Sequence, residues 1–131
     1  MVVPEYPPDR IGGGGIVYEN LAQQYANKGH EVIVIHGNYL TRSWNEKIAK
    51  SIQGNIIIYS IPEIPYPQNS PYLRTAMPPT LKTLRQLKVI IQEIKPDIAH
   101  LHGYGWPLVT LAANILKSTG LLLLSNTTSF N

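Results

Sequence analysis

Two groups of residues in this chain have the types and spacing to do chemistry. The first is Gly12-Gly13-Gly14-Gly15. Four residues without side chains let backbone N–H groups reach a ligand directly. An amphipathic run starts at Ile16, and a helix there turns its unpaired N–H groups and positive dipole end onto the same spot. A phosphate is the natural guest; the alternative is a turn that merely joins strand to helix. The second group is His102, placed where an apolar run Ile98-Ala-His-Leu-His102 ends, with His100 two residues deeper on the same face. An imidazole there can hydrogen-bond a sugar hydroxyl or phosphate oxygen and titrates near neutral pH. His100 is expected as a buried histidine bonded to backbone.

Several familiar sites are excluded. A dinucleotide loop G-x-G-x-x-G needs glycine where Val17 or Tyr18 stands, and no acidic residue follows the second strand, which ends Ile35-His36-Gly37. No Gly-Lys-Ser/Thr follows the glycines, so the nucleoside-triphosphatase loop is absent too. There is no cysteine, and the four histidines lack zinc spacing, so no metal and no bound cofactor are expected. No nucleophilic serine with a base and no close carboxylate pair stands out.

The elements that must position these residues follow from periodicity. Met1 to Val3 reads as a short first strand, cut off by Pro4, Pro7 and Pro8. A helix over about Ile16 to Lys28 sets Val17, Leu21 and Tyr25 on one stripe, with Ala22 and Ala26 beside it. Glu31 to Ile35 and Ile56 to Tyr59 read as strands covered on both faces. Between them, Trp44, Ile48 and Ile52 recur at four-residue spacing, which predicts a short crossover helix. Ile61 to Pro79 carries six prolines and no periodicity, either a substrate loop or a stiffened surface loop. A helix over about Thr80 to Lys95 repeats Leu84, Leu87, Ile91 and Ile94, with Thr80 as cap. Its outer positions Lys82, Arg85, Lys88 and Lys95 are basic, a solvated face or a peripheral contact with an anionic membrane or acceptor. Ile98 to His102 is the next strand, a helix begins at Pro107, and Leu121 to Leu124 is the last strand.

This order gives an α/β fold: a doubly wound parallel sheet, Rossmann-like, in a single domain spanning residues 1–131. Ligands in such sheets bind at the carboxyl ends of the strands. The glycine run, His102 with Tyr104, and Thr127 with Thr128 should converge there. The net charge of +3 and pI near 9.2 are too mild and dispersed for a nucleic-acid surface. With no signal segment and no membrane-length apolar run, a cytoplasmic protein is expected.

Three motifs, Tyr6-Pro-Pro-Asp-Arg-Ile-Gly-Gly, Leu21-Ala continuing to Lys28-Gly-His-Glu-Val32, and Lys95-Pro-Asp-Ile-Ala-His-Leu-His-Gly103, occur in order and at suitable spacing. Together they make the chain resemble the N-terminal domain of GT-B-fold glycosyltransferases of the family-4 type. The resemblance implies the N-terminal, acceptor-side half of a GT-B fold, truncated, with the C-terminal donor-binding domain absent. It implies a retaining hexosyltransferase moving sugar from a nucleotide-sugar donor to a glycan, lipid or small-molecule acceptor. Gly12, Gly13, Gly14 and Gly15 would face the donor phosphate, His102 would serve catalysis, and Tyr104, Thr127 and Thr128 would line the acceptor cleft. Family members often carry a histidine where Thr127 stands. On this reading the chain is inactive alone and needs the missing domain, or self-associates through its uncovered face. The alternative is a stand-alone Rossmann-type nucleotide- or phosphate-binding module without catalysis.

Overall fold

The computed structural model describes residues 1–8, 14–38, 47–62, 80–103, 107–120 and 122–126. Among the described residues nine elements follow in order: β1 (Val2–Val3), α1 (Gly14–Asn27), β2 (Val32–Asn38), β3 (Ala49–Gln53), β4 (Ile56–Pro62), α2 (Leu81–Ile94), β5 (Ile98–His102), α3 (Pro107–Lys117) and β6 (Leu122–Asn126). The strands form one sheet in the order β3-β4-β2-β1-β5-β6. All neighbours are parallel except β3 and β4. The chain winds outward from β1 through β2 to β4, then crosses to β5 and β6 on the other side. The α/β, Rossmann-like class expected from the sequence is the one observed.

Alternation along the strands assigns each residue a face. Val2, Ile35, Ile61, Ala99 and Leu101 pack with Leu87 and Ile91 of α2 and with Leu108, Val109, Ala112, Ala113 and Leu116 of α3. Val3, Val32, Val34, Ile56 and Ile58 pack with Tyr18 and Ala22 of α1 and with Tyr6. Helices therefore lie on both faces, as double winding requires. α2 starts where Thr80 Oγ1 accepts from the Thr83 N–H at 3.2 Å, and ends at Lys95, whose left-handed backbone (φ 48°) returns its N–H to Ile91 O.

Two expectations need correction. The four-residue spacing of Trp44, Ile48 and Ile52 does not make a helix: Ala49–Gln53 is strand β3, running antiparallel to β4. Gly54, at φ +59°, makes the tight turn that returns the chain. With every β3 residue exposed, Ile52 included, the periodicity reported no buried face. Trp44 lies outside the described residues. In α1 the helix begins two residues earlier than expected, inside the glycine run, and Val17 points outward at 49% exposure. The buried stripe is instead Gly15, Tyr18 and Ala22. A residue-free surface at Gly15 lets the first turn come down on the sheet, which rotates Tyr18 inward in place of Val17.

Candidate functional site

The winding reverses at β1, because β2 lies on one side and β5 on the other. The carboxyl ends of β1 and β5 thus flank the crevice where ligands of such sheets bind. β1 leads into Pro4, Glu5 and Tyr6, and β5 ends at His102. α1 delivers its N-terminus to the same edge.

That N-terminus already holds a negative charge. A carboxylate oxygen of Glu5 accepts the Gly15 N–H at 3.1 Å, and Glu5 is only 8% exposed. The charge sits favourably against the helix dipole and satisfies one of the unpaired donors of the first turn. Gly14 lies against the same carboxylate and the Tyr18 ring: a Cβ there would stand 3.5 Å from Glu5 Oε1 and 3.6 Å from Tyr18. Tyr18 then carries the contact inward, its ring centroid 5.2 Å from that of His102.

His102 is 4% exposed and its ring lies 4.0 Å from His100. Burial, then the neighbouring His100, then the Met1 ammonium push its pKa down from 6.5 to about 4. At neutral pH this imidazole is uncharged and offers a ligand a neutral ring nitrogen. His100 is lowered too, by burial and then by the Met1 ammonium. Its Nδ1 is bonded to the Tyr25 hydroxyl at 3.0 Å, a side-chain partner where a backbone one was expected.

Across β1, His36 is buried, bonds Gly37 O through Nδ1 at 2.7 Å, and lies 6.0 Å from the Tyr6 ring. Burial and then the Glu19 charge raise the Tyr6 phenol to about 12, so it stays protonated. Burial and then Glu5 raise Tyr18. Among the described residues, three buried side-chain polar atoms have no hydrogen-bond partner: Tyr6 Oη, Ser60 Oγ and His102 Nε2. His36 pairs with Ser60 in register and with Val3 on the other side, and His102 closes β5, so all three lie toward the carboxyl edge on the α1 face. An unsatisfied buried polar atom costs about 1–3 kcal/mol, which a hydroxyl-rich or phosphate-bearing ligand relieves.

A family model for Glycosyltransferase Family 4 matches residues 11–123. The chain belongs to that family. No curated protein matches it. As a member of glycosyltransferase family 4, the chain is an acceptor-side domain. The match spans the glycine run, α1 and the strand ending in His102. Of the residues singled out in the sequence, Gly14, Gly15 and His102 are brought to one edge, with Tyr18 between them. Gly12, Gly13, Tyr104, Thr127 and Thr128 lie outside the described residues. Sequence reasoning missed Glu5, Tyr6 and Tyr18. An acidic residue just past a central strand and ahead of a helix N-terminus was the available signal for Glu5, and Tyr18 follows once the helix starts at Gly14. Among the described residues, no group of three or more His, Cys, Asp or Glu side chains is placed to hold a metal ion. Among them, too, no helix is long and apolar enough to cross a membrane.

Proposed function

We propose that this family-4 domain is the acceptor-side half of a retaining glycosyltransferase of the cytoplasm. Sugar passes from a nucleotide-sugar donor to a glycan, lipid or small-molecule acceptor held over the carboxyl edge of the sheet. The observation that carries this reading is the row of unsatisfied buried polar atoms, Tyr6 Oη, Ser60 Oγ and His102 Nε2, spread along the α1 face toward the carboxyl edge of the sheet. The glycine run approaches the donor diphosphate with backbone N–H groups, and His102 takes a substrate oxygen on a neutral nitrogen. A donor-binding domain outside these residues supplies the remaining charge stabilisation, because a departing diphosphate needs donors arranged on both sides of a cleft. The protein's partners on this reading are the two substrates, that domain, and an anionic membrane surface met by the basic outer positions of α2.

Titration with a nucleoside diphosphate, followed by amide NMR, tests the site. Weak binding, with a Kd on the order of 1 mM, should shift Gly14, Gly15 and His102, since on this reading these residues form only one wall of the cleft. Shifts confined to the amino ends of the strands would refute the placement. The same chain, assayed with sugar nucleotides and acceptors, should transfer no sugar. Turnover that survives purification and vanishes in His102→Ala would overturn the division of labour between two domains.

A further inference from the structure

α1 and β5 meet on one face of the sheet through two pairs of rings in matching order. Along the helix, Tyr18 and Tyr25 stand on one side, two turns or about 10.5 Å apart. Along the strand, His100 and His102 share a face, with Cα atoms about 6.6 Å apart. Tyr18 meets His102 with ring centroids 5.2 Å apart, and Tyr25 meets His100 at 6.2 Å. The helix therefore runs antiparallel to the strand, with one tyrosine assigned to each histidine.

The two histidines are held differently. Tyr25 Oη and His100 Nδ1 share a hydrogen bond of 3.0 Å, which ties the His100 ring to the third turn of α1. His102 has no such tie. Its Nε2 is buried without a partner, and among the described residues the rings it meets are those of Tyr18 and His100. The His100 and His102 centroids lie 4.0 Å apart with their planes at 46°, closer than the Cα spacing, so the two imidazoles lean towards each other. An imidazole on two rotatable bonds keeps one orientation only when its neighbours lock it. A displacement of about 1 Å in a group aimed at a substrate atom can cost about a hundredfold in rate.

We propose that Tyr25 and His100 are positioning residues for His102, a role that rests on the proposed binding of a substrate oxygen at His102 Nε2. The hydrogen bond fixes the His100 ring. That ring, together with Tyr18, sets the plane of the His102 imidazole and leaves Nε2 open. α1 then serves the site twice. Its N-terminus faces the donor phosphate, and about three turns further on its Tyr25 holds the histidine in register with that N-terminus, so a single rigid element aligns both groups.

A double-mutant cycle between Tyr25→Phe and His102→Ala tests this, with inorganic pyrophosphate as the probe and the Gly14 and Gly15 amides as the readout. Tyr25→Phe removes one oxygen and keeps the ring that lies beside His30 and His100. It should weaken binding about threefold, and His102→Ala about tenfold, the span expected for one hydrogen bond loosened or lost. His100→Gln, which keeps a partner for the phenol but removes the ring against His102, should weaken binding as much as Tyr25→Phe. In the His102→Ala background Tyr25→Phe should change nothing further, because its effect passes through the missing ring. In the unliganded Tyr25→Phe chain the His102 ring protons should also broaden or split while the rest of the amide spectrum is kept. The same threefold loss with and without His102 would make Tyr25 a structural residue of α1 and overturn the proposal. Parent-like binding by Tyr25→Phe or His100→Gln beside a weakened His102→Ala would overturn it too, and would leave the reading of the site intact. Parent-like binding by His102→Ala would overturn both.

Discussion

Between pH 6.5 and pH 4 the folded chain should lose about 3 kcal/mol of stability through His102 alone. The unfolded histidine takes up its proton near 6.5, whereas the buried one resists until about pH 4. The unfolded state therefore binds more protons throughout this window, and stability falls as pH falls. Above the window both states are neutral and nothing is lost. The groups responsible are named by the packing: burial beneath Tyr18 of α1, the His100 ring 4.0 Å away, and the Met1 ammonium. That ammonium, itself lowered by burial from 8.0 to about 6, makes its own loss at higher pH, so the two are separable. Urea unfolding across the window should show the decline, and His102→Gln should flatten most of it. An unchanged slope in the variant would mean that the histidine opens to solvent before it titrates.

Replacing Glu5 by glutamine should strengthen phosphate binding at the glycine run about tenfold. The carboxylate that accepts from Gly15 N–H occupies the positive end of α1 and repels a second anion a few ångströms away. At an effective dielectric between protein and water, removing that repulsion is worth on the order of 1–2 kcal/mol. The glutamine oxygen keeps the hydrogen bond, so the helix start survives. Glu5→Ala loses the bond as well and should destabilise the chain by about 1–2 kcal/mol. Titration of the three proteins with inorganic phosphate, read by the Gly14 and Gly15 amides, separates charge from capping. A weaker affinity in Glu5→Gln would show that the carboxylate orients the loop for anions instead of repelling them.

Glu5 also marks where the sequence stopped being legible. Continuous β-branched runs such as Val32 to Ile35 and Ile56 to Ile58 reveal buried strands because both faces must be apolar. Leu87, Ile91, Leu108 and Ala112 show their helical faces by spacing alone. β3 escaped because an exposed edge strand has no burial pattern to display, and Ile48 and Ile52 imitated a helical one. Spacing from Ile16 onward favours Val17 over Tyr18, whereas the helix starts at Gly14 and buries Gly15, Tyr18 and Ala22, a stripe that depends on how the first turn meets the sheet. The family resemblance was carried by three motifs, and the match over residues 11–123 agrees with them. At the candidate site, His102 was visible as a residue at a strand end, but its burial against Tyr18 and His100 arises only from tertiary packing. The same is true of Glu5, whose partner Gly15 lies ten residues away across a turn that periodicity does not describe.

The antiparallel pair β3 and β4 has a consequence in time. Its strands are joined through Gly54 and Asn55, so closing them restricts only a short loop. β1 must find β5 from the far end of the chain, Val2 against Leu101. Loop-closure entropy and the slowness of distant parallel pairing order these events. In a pulsed-exchange refolding experiment the amides of Ile56 to Ser60 should gain protection first, and those at β1 and the adjoining edge of β5 last. The strand that brings Glu5 and Tyr6 to the substrate edge is thus the last to be seated, and every molecule that has finished folding has, by the same late event, assembled its binding surface.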